Sequence, residues 1–454
     1  MTEGNSEEVG AFYGTPGLLS FFTQGSGAVR ALHTGGGYLF ATIGASCYRI
    51  DSNLVILWLG DLPNVVGPVT IVNNETQVVF CHPSGWHWCL MATSAIAGTA
   101  LASVTGAPNN SVASYQDQYL LYVIQGTGFF GVSNAGDLST LDPTMIADAE
   151  GQPDNLVNVI SDHGEVALIG EETIEVWTDT GGAFFPFQKL PGTFIEMGCV
   201  APATVAKGAN SVFLLGRDKT GRAVVFQTQG YALNRISTHP IEFAIASYSK
   251  ISDAIGWVYQ DEGHTFYVLT FPTGDATWVY DVATKGWHQR AWMDTNGVLH
   301  RHRANCYANF KVTYSGVTSN HVVGDFENGT LYLQSMNLYT DNGVPIYRER
   351  AFDLPDSENK RVRLDKFEVL ATIGDGASPS DGSQVKLWLQ ISRDAGRTWG
   401  YQRILTTGAI GQTYARARWR RIGSAKNPVM RVATTMQNRV NWVAGFLEGE
   451  LLGV

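Results

Sequence analysis

Apolar positions along this chain fall in short runs, alternating or consecutive, broken by Gly, Asn and Asp, and one phrase recurs seven times between Gly37 and Tyr339. Each copy is a short apolar strand, a tight turn and a second, aromatic-rich strand. Tyr38-Leu39-Phe40 leads to Cys47-Tyr48-Arg49, Gln77-Val78-Val79-Phe80 to Trp86-His87-Trp88, and Tyr119-Leu120-Leu121-Tyr122 to Phe129-Phe130-Gly131. The phrase returns from Glu165 to Trp177, from Val212 to Phe226, from Phe266 to Tyr280 and from His321 to Leu333. Successive copies start roughly 40 to 55 residues apart, the spacing of units that each form one blade of a β-propeller. The pattern predicts six or seven blades within residues 1–340.

After the turn cluster Thr340-Asp341-Asn342-Gly343 the rhythm lengthens. Alternating strands are expected at 361–370, 384–391, 401–405, 415–422 and 429–434. Val385, Leu387, Leu389 and Ile391 fall on one face and Lys386 and Gln390 on the other, the signature of an antiparallel sheet with one wet side. Residues 341–454 therefore read as a separate β-sandwich. Ahead of the first repeat, Tyr13-Gly14-Thr15-Pro16-Gly17-Leu18 is a turn signal, followed by a strand at 19–22. Helix is expected only at the Ala-rich stretch 91–101 and at 240–248.

Composition supports an all-β globular protein. The chain has 454 residues, 44% of them hydrophobic, and its 50 glycines follow no three-residue period, as suits many tight hairpins. Charge is unevenly placed. From Arg348 onward there are 17 Lys+Arg against 11 Asp+Glu, a balance of +6; the preceding residues hold 14 against 30, a balance of −16. An acidic body argues against a DNA clamp or repressor, which works by replacing phosphate counterions with Lys and Arg. No apolar run reaches the length of a membrane span, and the N-terminus lacks a basic start followed by an apolar run. Five scattered cysteines read as reduced thiols of a cytosolic product.

Four local patterns invite chemistry. Ser392-Arg393-Asp394-Ala395-Gly396-Arg397-Thr398-Trp399 matches the Asp-box, with Ser392, Asp394, Gly396, Thr398 and Trp399 at its defining positions. Its physics is that of a hairpin tip: the carboxylate accepts backbone N–H groups, Gly adopts positive φ and Trp packs at the base. Sialidase propellers repeat this box, so a propeller glycosidase or carbohydrate-binding protein is the alternative reading, although a site of that kind also needs clustered carboxylates. Cys81, His82, His87 and Cys89 have the side chains of a zinc site, but Cys81 and His82 are strand neighbours that point to opposite faces, so a plain hairpin is expected. His300-Arg301-His302-Arg303 reads as a solvated basic loop between blades. Arg416, Arg418 and Arg420 alternate along a strand and should share one face, either an exposed sheet surface or a candidate subunit interface. No phosphate-binding loop, nucleophile elbow or metalloprotease helix occurs, so no catalytic residue, metal or cofactor is assigned.

Several stretches together resemble the packaged-DNA stabilisation proteins of short-tailed bacteriophages, the tail hub or nozzle family. They are Gly14-Thr15-Pro16-Gly17-Leu18; Pro153-Asp154-Asn155-Leu156 running into Glu172-Thr173-Ile174-Glu175-Val176-Trp177; Ser237-Thr238-His239-Pro240-Ile241-Glu242; Tyr280-Asp281 with Lys285-Gly286-Trp287; the 391–399 hairpin; and Arg418-Trp419-Arg420-Arg421-Ile422-Gly423. The resemblance implies a homo-hexameric ring beneath the portal and its head-to-tail adaptor ring. Such a ring extends the genome channel, retains packaged DNA and supports tail fibres or spikes and a tail needle or plug. The implied location is the virion tail, assembled in the host cytoplasm, with no membrane partner. Members of the family carry an extended segment ahead of the Gly-Thr-Pro-Gly-Leu turn, whereas thirteen residues precede Gly14 here; either the start lies upstream or this member lacks the arm. A ring that passes DNA without binding its sequence should have an acidic or neutral lumen, with the arginine face turned toward protein.

Overall fold

The computed structural model describes residues 13–149, 151–182, 184–217, 221–353, 361–375, 385–407 and 415–452. The chain divides into two compact units. One comprises Ser20–Ala291 with His300–Leu333; the other comprises Met1–Leu19, Trp292–Leu299 and Gln334–Val454.

Among the described residues, the first unit is a propeller of seven sheets. Their innermost strands are Val29–Gly35, Thr70–Asn73, Ala113–Gln116, Leu156–Asp162, Ala206–Gly208, Ile255–Asp261 and Ala304–Tyr314. Each hairpin expected from the repeat forms the second and third strands of one blade, as in Tyr38–Ile43 paired with Ser46–Ile50. The inner turns are short and left-handed: Asp117 and Gln118 (φ 47 and 74), His163 and Gly164 (51 and 80), and Glu262 and Gly263 (48 and 83). Positive φ at both central positions matches the right-handed twist of the strands they join.

Neighbouring blades are stapled at the hub. His33 Nε2 meets Asn73 Oδ1 at 2.5 Å, Ser161 N–H donates to Ser114 Oγ at 3.0 Å, and Lys207 Nζ donates to the Ser161 carbonyl at 3.0 Å. Trp257 stacks on Tyr307 with centroids 5.2 Å apart. Asn305 Nδ2 donates to the Val29 carbonyl at 2.9 Å, joining the last blade to the first. Apolar clusters fill the spaces between blades; in one of them Phe213 and Tyr267, both fully buried, stack at 4.9 Å. Aromatic pairs of this kind add stabilisation beyond their buried area.

The ring closes with a strand from the other end of the chain. The seventh blade supplies Ala304–Tyr314, Val317–Asp325 and Thr330–Ser335, and its fourth strand is the N-terminal Gly17–Thr23. Thr23 Oγ1 lies 3.1 Å from Thr330 Oγ1, and Gln24 N–H donates to the Gly329 carbonyl at 3.1 Å. This strand covers the strand expected at 19–22.

The two helix expectations part company. The stretch 240–248 overlaps the helix His239–Ala246, with Pro240 in its first turn, where a missing N–H costs nothing. Residues 91–101 form no helix. Their N–H groups go elsewhere: Met91 donates to Thr76 O in a hairpin turn, and Gly98 and Ala100 donate to Trp58 O and Leu59 O of the outer strand Ile56–Asp61, so tertiary bonds override alanine propensity.

In the second unit, one antiparallel sheet runs Arg348–Asp353, Val429–Thr434, Val385–Ser392, Arg403–Thr407, and the other Ala415–Ala425, Arg361–Asp375, Arg439–Leu452. Leu387 and Leu389 point inward with Val369, Phe367, Trp419 and Val432 to form a single core. This is the sandwich expected from the alternation.

Candidate functional site

In the three-stranded sheet, alternation leaves Arg416, Arg418 and Arg420 exposed while Ala417 and Trp419 enter the core. The three arginines thus share one face but not one environment. Register places Arg418 opposite Glu368 of the central strand. Arg418 Nε donates to Glu368 Oε2 at 2.8 Å and Arg416 Nη1 to Glu368 Oε1 at 3.0 Å. These bonds, Arg418 foremost, hold the Glu368 carboxyl below its usual range. Arg420 sits opposite Lys366, whose ammonium is drawn toward Glu448 at 2.6 Å.

A β-bulge follows. Arg420 pairs with Lys366 and Gly423 with Leu364, so Arg421 and Ile422 together face the single residue Asp365. Arg421 takes φ 57, a left-handed conformation that costs a non-glycine residue roughly 1–2 kcal/mol, and it remains exposed beside Arg420. Side chains from the opposite sheet pin the bulge. Arg403 donates to the Arg420 carbonyl at 2.7 Å and the Arg421 carbonyl at 3.5 Å; Arg393 donates to the Ile422 and Ser424 carbonyls, each at 3.3 Å.

The Asp-box hairpin that carries Arg393 is closed by its own side chains. Ser392 Oγ donates to Asp394 Oδ1 at 2.7 Å and accepts the Gly396 N–H at 2.8 Å; Thr398 donates to Asp394 through its backbone (2.8 Å) and its hydroxyl (2.6 Å). Bonds from Thr398 foremost hold the Asp394 carboxyl down at about 2. Gly396 takes the expected positive φ of 87, and Ala395 is also left-handed at 59. Trp399 lies under the Arg431 guanidinium, 4.0 Å from the ring centroid. The box forms a turn whose carboxylate is occupied by its own backbone and hydroxyls.

Cys81 and Cys89 enter different apolar clusters, and burial pushes both thiols up, Cys89 to about 12. His82 spends Nε2 on the Val66 carbonyl (2.8 Å) and Nδ1 on the Ser84 N–H (3.1 Å). The four residues do not converge.

The run His300-Arg301-His302-Arg303 is not a solvated loop. His300 and Arg301 belong to the extra outer strand Leu299–Arg301, where His300 Nδ1 contacts Asp275 at 2.8 Å and Arg301 lies 3.8 Å from the Phe326 ring centroid. His302 is buried, and desolvation, aided by the Arg290 charge, lowers its pKa to about 3. Arg303 pairs with the fully buried Asp325 at 2.7 Å and with Glu327 at 2.8 Å, and Tyr332 OH donates to Asp325 at 2.5 Å. The partners lie in a neighbouring hairpin, so the local sequence gives no hint of them.

Residues of the resembling stretches act as staples. Asp154 accepts N–H groups from Glu171, Glu172 and Thr173, tying one blade-to-blade connection to the next hairpin tip. Glu242 pairs with Arg235 and accepts Ser237 Oγ–H at 2.7 Å. Asp281 accepts the Ala283 N–H and Thr284 hydroxyl, and Trp287 Nε1 donates to the Ile236 carbonyl at 2.8 Å.

A propeller closed by its own N-terminal strand, together with an antiparallel sandwich in the same chain, defines a two-part all-β scaffold. The chain belongs to the bacteriophage P22 Gp10 family: that family's β-propeller matches residues 2–337 and its β-sandwich matches residues 347–450. No curated protein matches it. Among solved structures it is similar to the extracellular domain of the hybrid two-component system BT4673 from B. thetaiotaomicron, at 8% identity over 86% of this chain and 47% of that one (TM-score 0.45). It thus spans about half the length of that structure. It is also similar to the N-terminal domain of Nup159, at 8% identity over 74% of this chain and 97% of that one (TM-score 0.45), and to PorZ of Porphyromonas gingivalis, at 10% identity over 89% and 46% (TM-score 0.37).

Proposed function

We propose that this protein is a tail hub or nozzle: a homo-hexameric ring beneath the portal's adaptor ring that extends the channel, retains packaged DNA, lets it pass on ejection and anchors fibres or spikes and the closing needle. The observation that carries this reading is the family match over both the propeller and the sandwich. Charge supports it, since a conduit balanced at −16 over its first 347 residues offers a duplex little to adhere to. The role is structural, with no catalytic step. Arg416, Arg418 and Arg420 belong to the contact between neighbouring subunits. A lasting ring requires heterologous contacts that close by rotation and bury on the order of 2,000 Å² or more each.

Electron cryomicroscopy of the protein mixed with its adaptor ring tests the proposal. A six-fold annulus with a central pore is expected, and particles lacking the protein should lose their DNA. A lone monomer in the presence of the adaptor contradicts the proposal, as does a pore lined continuously with Lys and Arg.

A further inference from the structure

We infer that the bulge at Arg420 and Arg421 is the docking point for an acidic surface of a second copy of this chain; this deepens, and rests on, the ring reading above. Of the face's arginines, Arg416 and Arg418 are already held by Glu368, while Lys366, opposite Arg420, leans away to Glu448. Arg420 is left with a like charge across the strand, and the bulge sets Arg421 beside it, also exposed. Arg393 and Arg403 spend donors on the bulge's carbonyls, which adds two positive charges next to the doublet. Among the described residues no carboxylate is in ion-pair contact with any of these four guanidiniums.

The same bonds cap the free edge of the strand, so a partner cannot add a strand at the bulge and must meet side chains instead. A guanidinium fork matches carboxylate or phosphate oxygens, and a doublet without a carboxylate partner among the described residues presents several such forks. The first 347 residues of a neighbouring copy, with 30 acidic residues against 14 basic, supply the complementary charge. Duplex DNA is the less favoured occupant, because fixed guanidiniums facing the genome would retard its passage.

The test uses the full chain with its adaptor ring, comparing wild type with the double reversal Arg420→Glu and Arg421→Glu and the charge-keeping pair Arg420→Lys and Arg421→Lys. Ring fraction is read by analytical ultracentrifugation across a salt series, and binding to a fluorescent 30-base-pair duplex is read in parallel. Wild-type rings should loosen as salt rises, the reversal should cut the ring fraction at least tenfold with the unfolding temperature unchanged, and the lysine pair should retain most rings. Should the reversal lower the unfolding temperature, Arg420→Gln with Arg421→Gln is read by the same criterion. Rings indifferent to reversal overturn the inference while leaving the ring reading intact. Duplex binding that the reversal abolishes, with rings unaffected, overturns it in favour of nucleic acid. Wild type that makes no ring with its adaptor overturns the ring reading and this inference with it.

Discussion

Asp325 has no exposed surface and is held by Arg303, Tyr332 and two backbone N–H groups. Removing one member of a buried pair strands the other charge, at a cost of about 3–5 kcal/mol. Asp325→Ala should therefore lower the propeller's stability by that amount in urea unfolding. Asp394 poses a different question, one of pH. Its folded pKa of about 2 lies below the ordinary aspartate value, so its contribution is complete above roughly pH 4 and fades as pH falls toward 2. Asp394→Asn should flatten that acid limb of the sandwich's stability curve; an unchanged limb would mean that the turn does not depend on the charge. Sequence showed the Asp-box because the bonds among Ser392, Asp394, Gly396 and Thr398 that shape it are all local. It hid the roles of His302 and Arg303, whose environment comes from residues more than twenty positions away.

At the scale of elements, the hairpins were legible because each joins strands through a short turn and needs no distant partner. Outer strands were harder to see. Residues 91–101 look helical by composition, yet their N–H groups are drawn to a hairpin turn and to one strand edge that composition does not reveal. The closing strand Gly17–Thr23 was visible as a strand but not as the seventh blade's fourth strand, since its partner lies 307 residues on at the Thr23 to Thr330 contact. Deleting residues 1–23 should leave that blade with a bare outer edge, giving a lower unfolding temperature and concentration-dependent aggregation by light scattering. A truncated protein that is as stable and as dispersed as the parent would show that the strand is dispensable.

For the whole molecule, the division into acidic and basic parts and the two architectures could be read from composition and rhythm; the blade number needed the sheets themselves. Each unit has its own apolar core, so each should unfold with its own transition. Trp419→Ala, in the sandwich core, should shift only one transition, by about 3–5 kcal/mol, in a calorimetric scan. If both transitions move together, the cores are coupled.

The closing strand also sets a timetable. Preceding every complete blade in chain order, it leaves the ribosome ahead of them, and its partner at Thr330 follows only after 307 further residues. Bringing ends so distant together costs about 5 kcal/mol of chain entropy beyond a fixed term, a cost the emerging blades progressively lower by shortening the slack. Until then the nascent chain carries an unmated strand in front and a growing open arc behind, so completion of the circle is a late event in biogenesis. Only after it is the propeller rid of an open seam that another chain could invade.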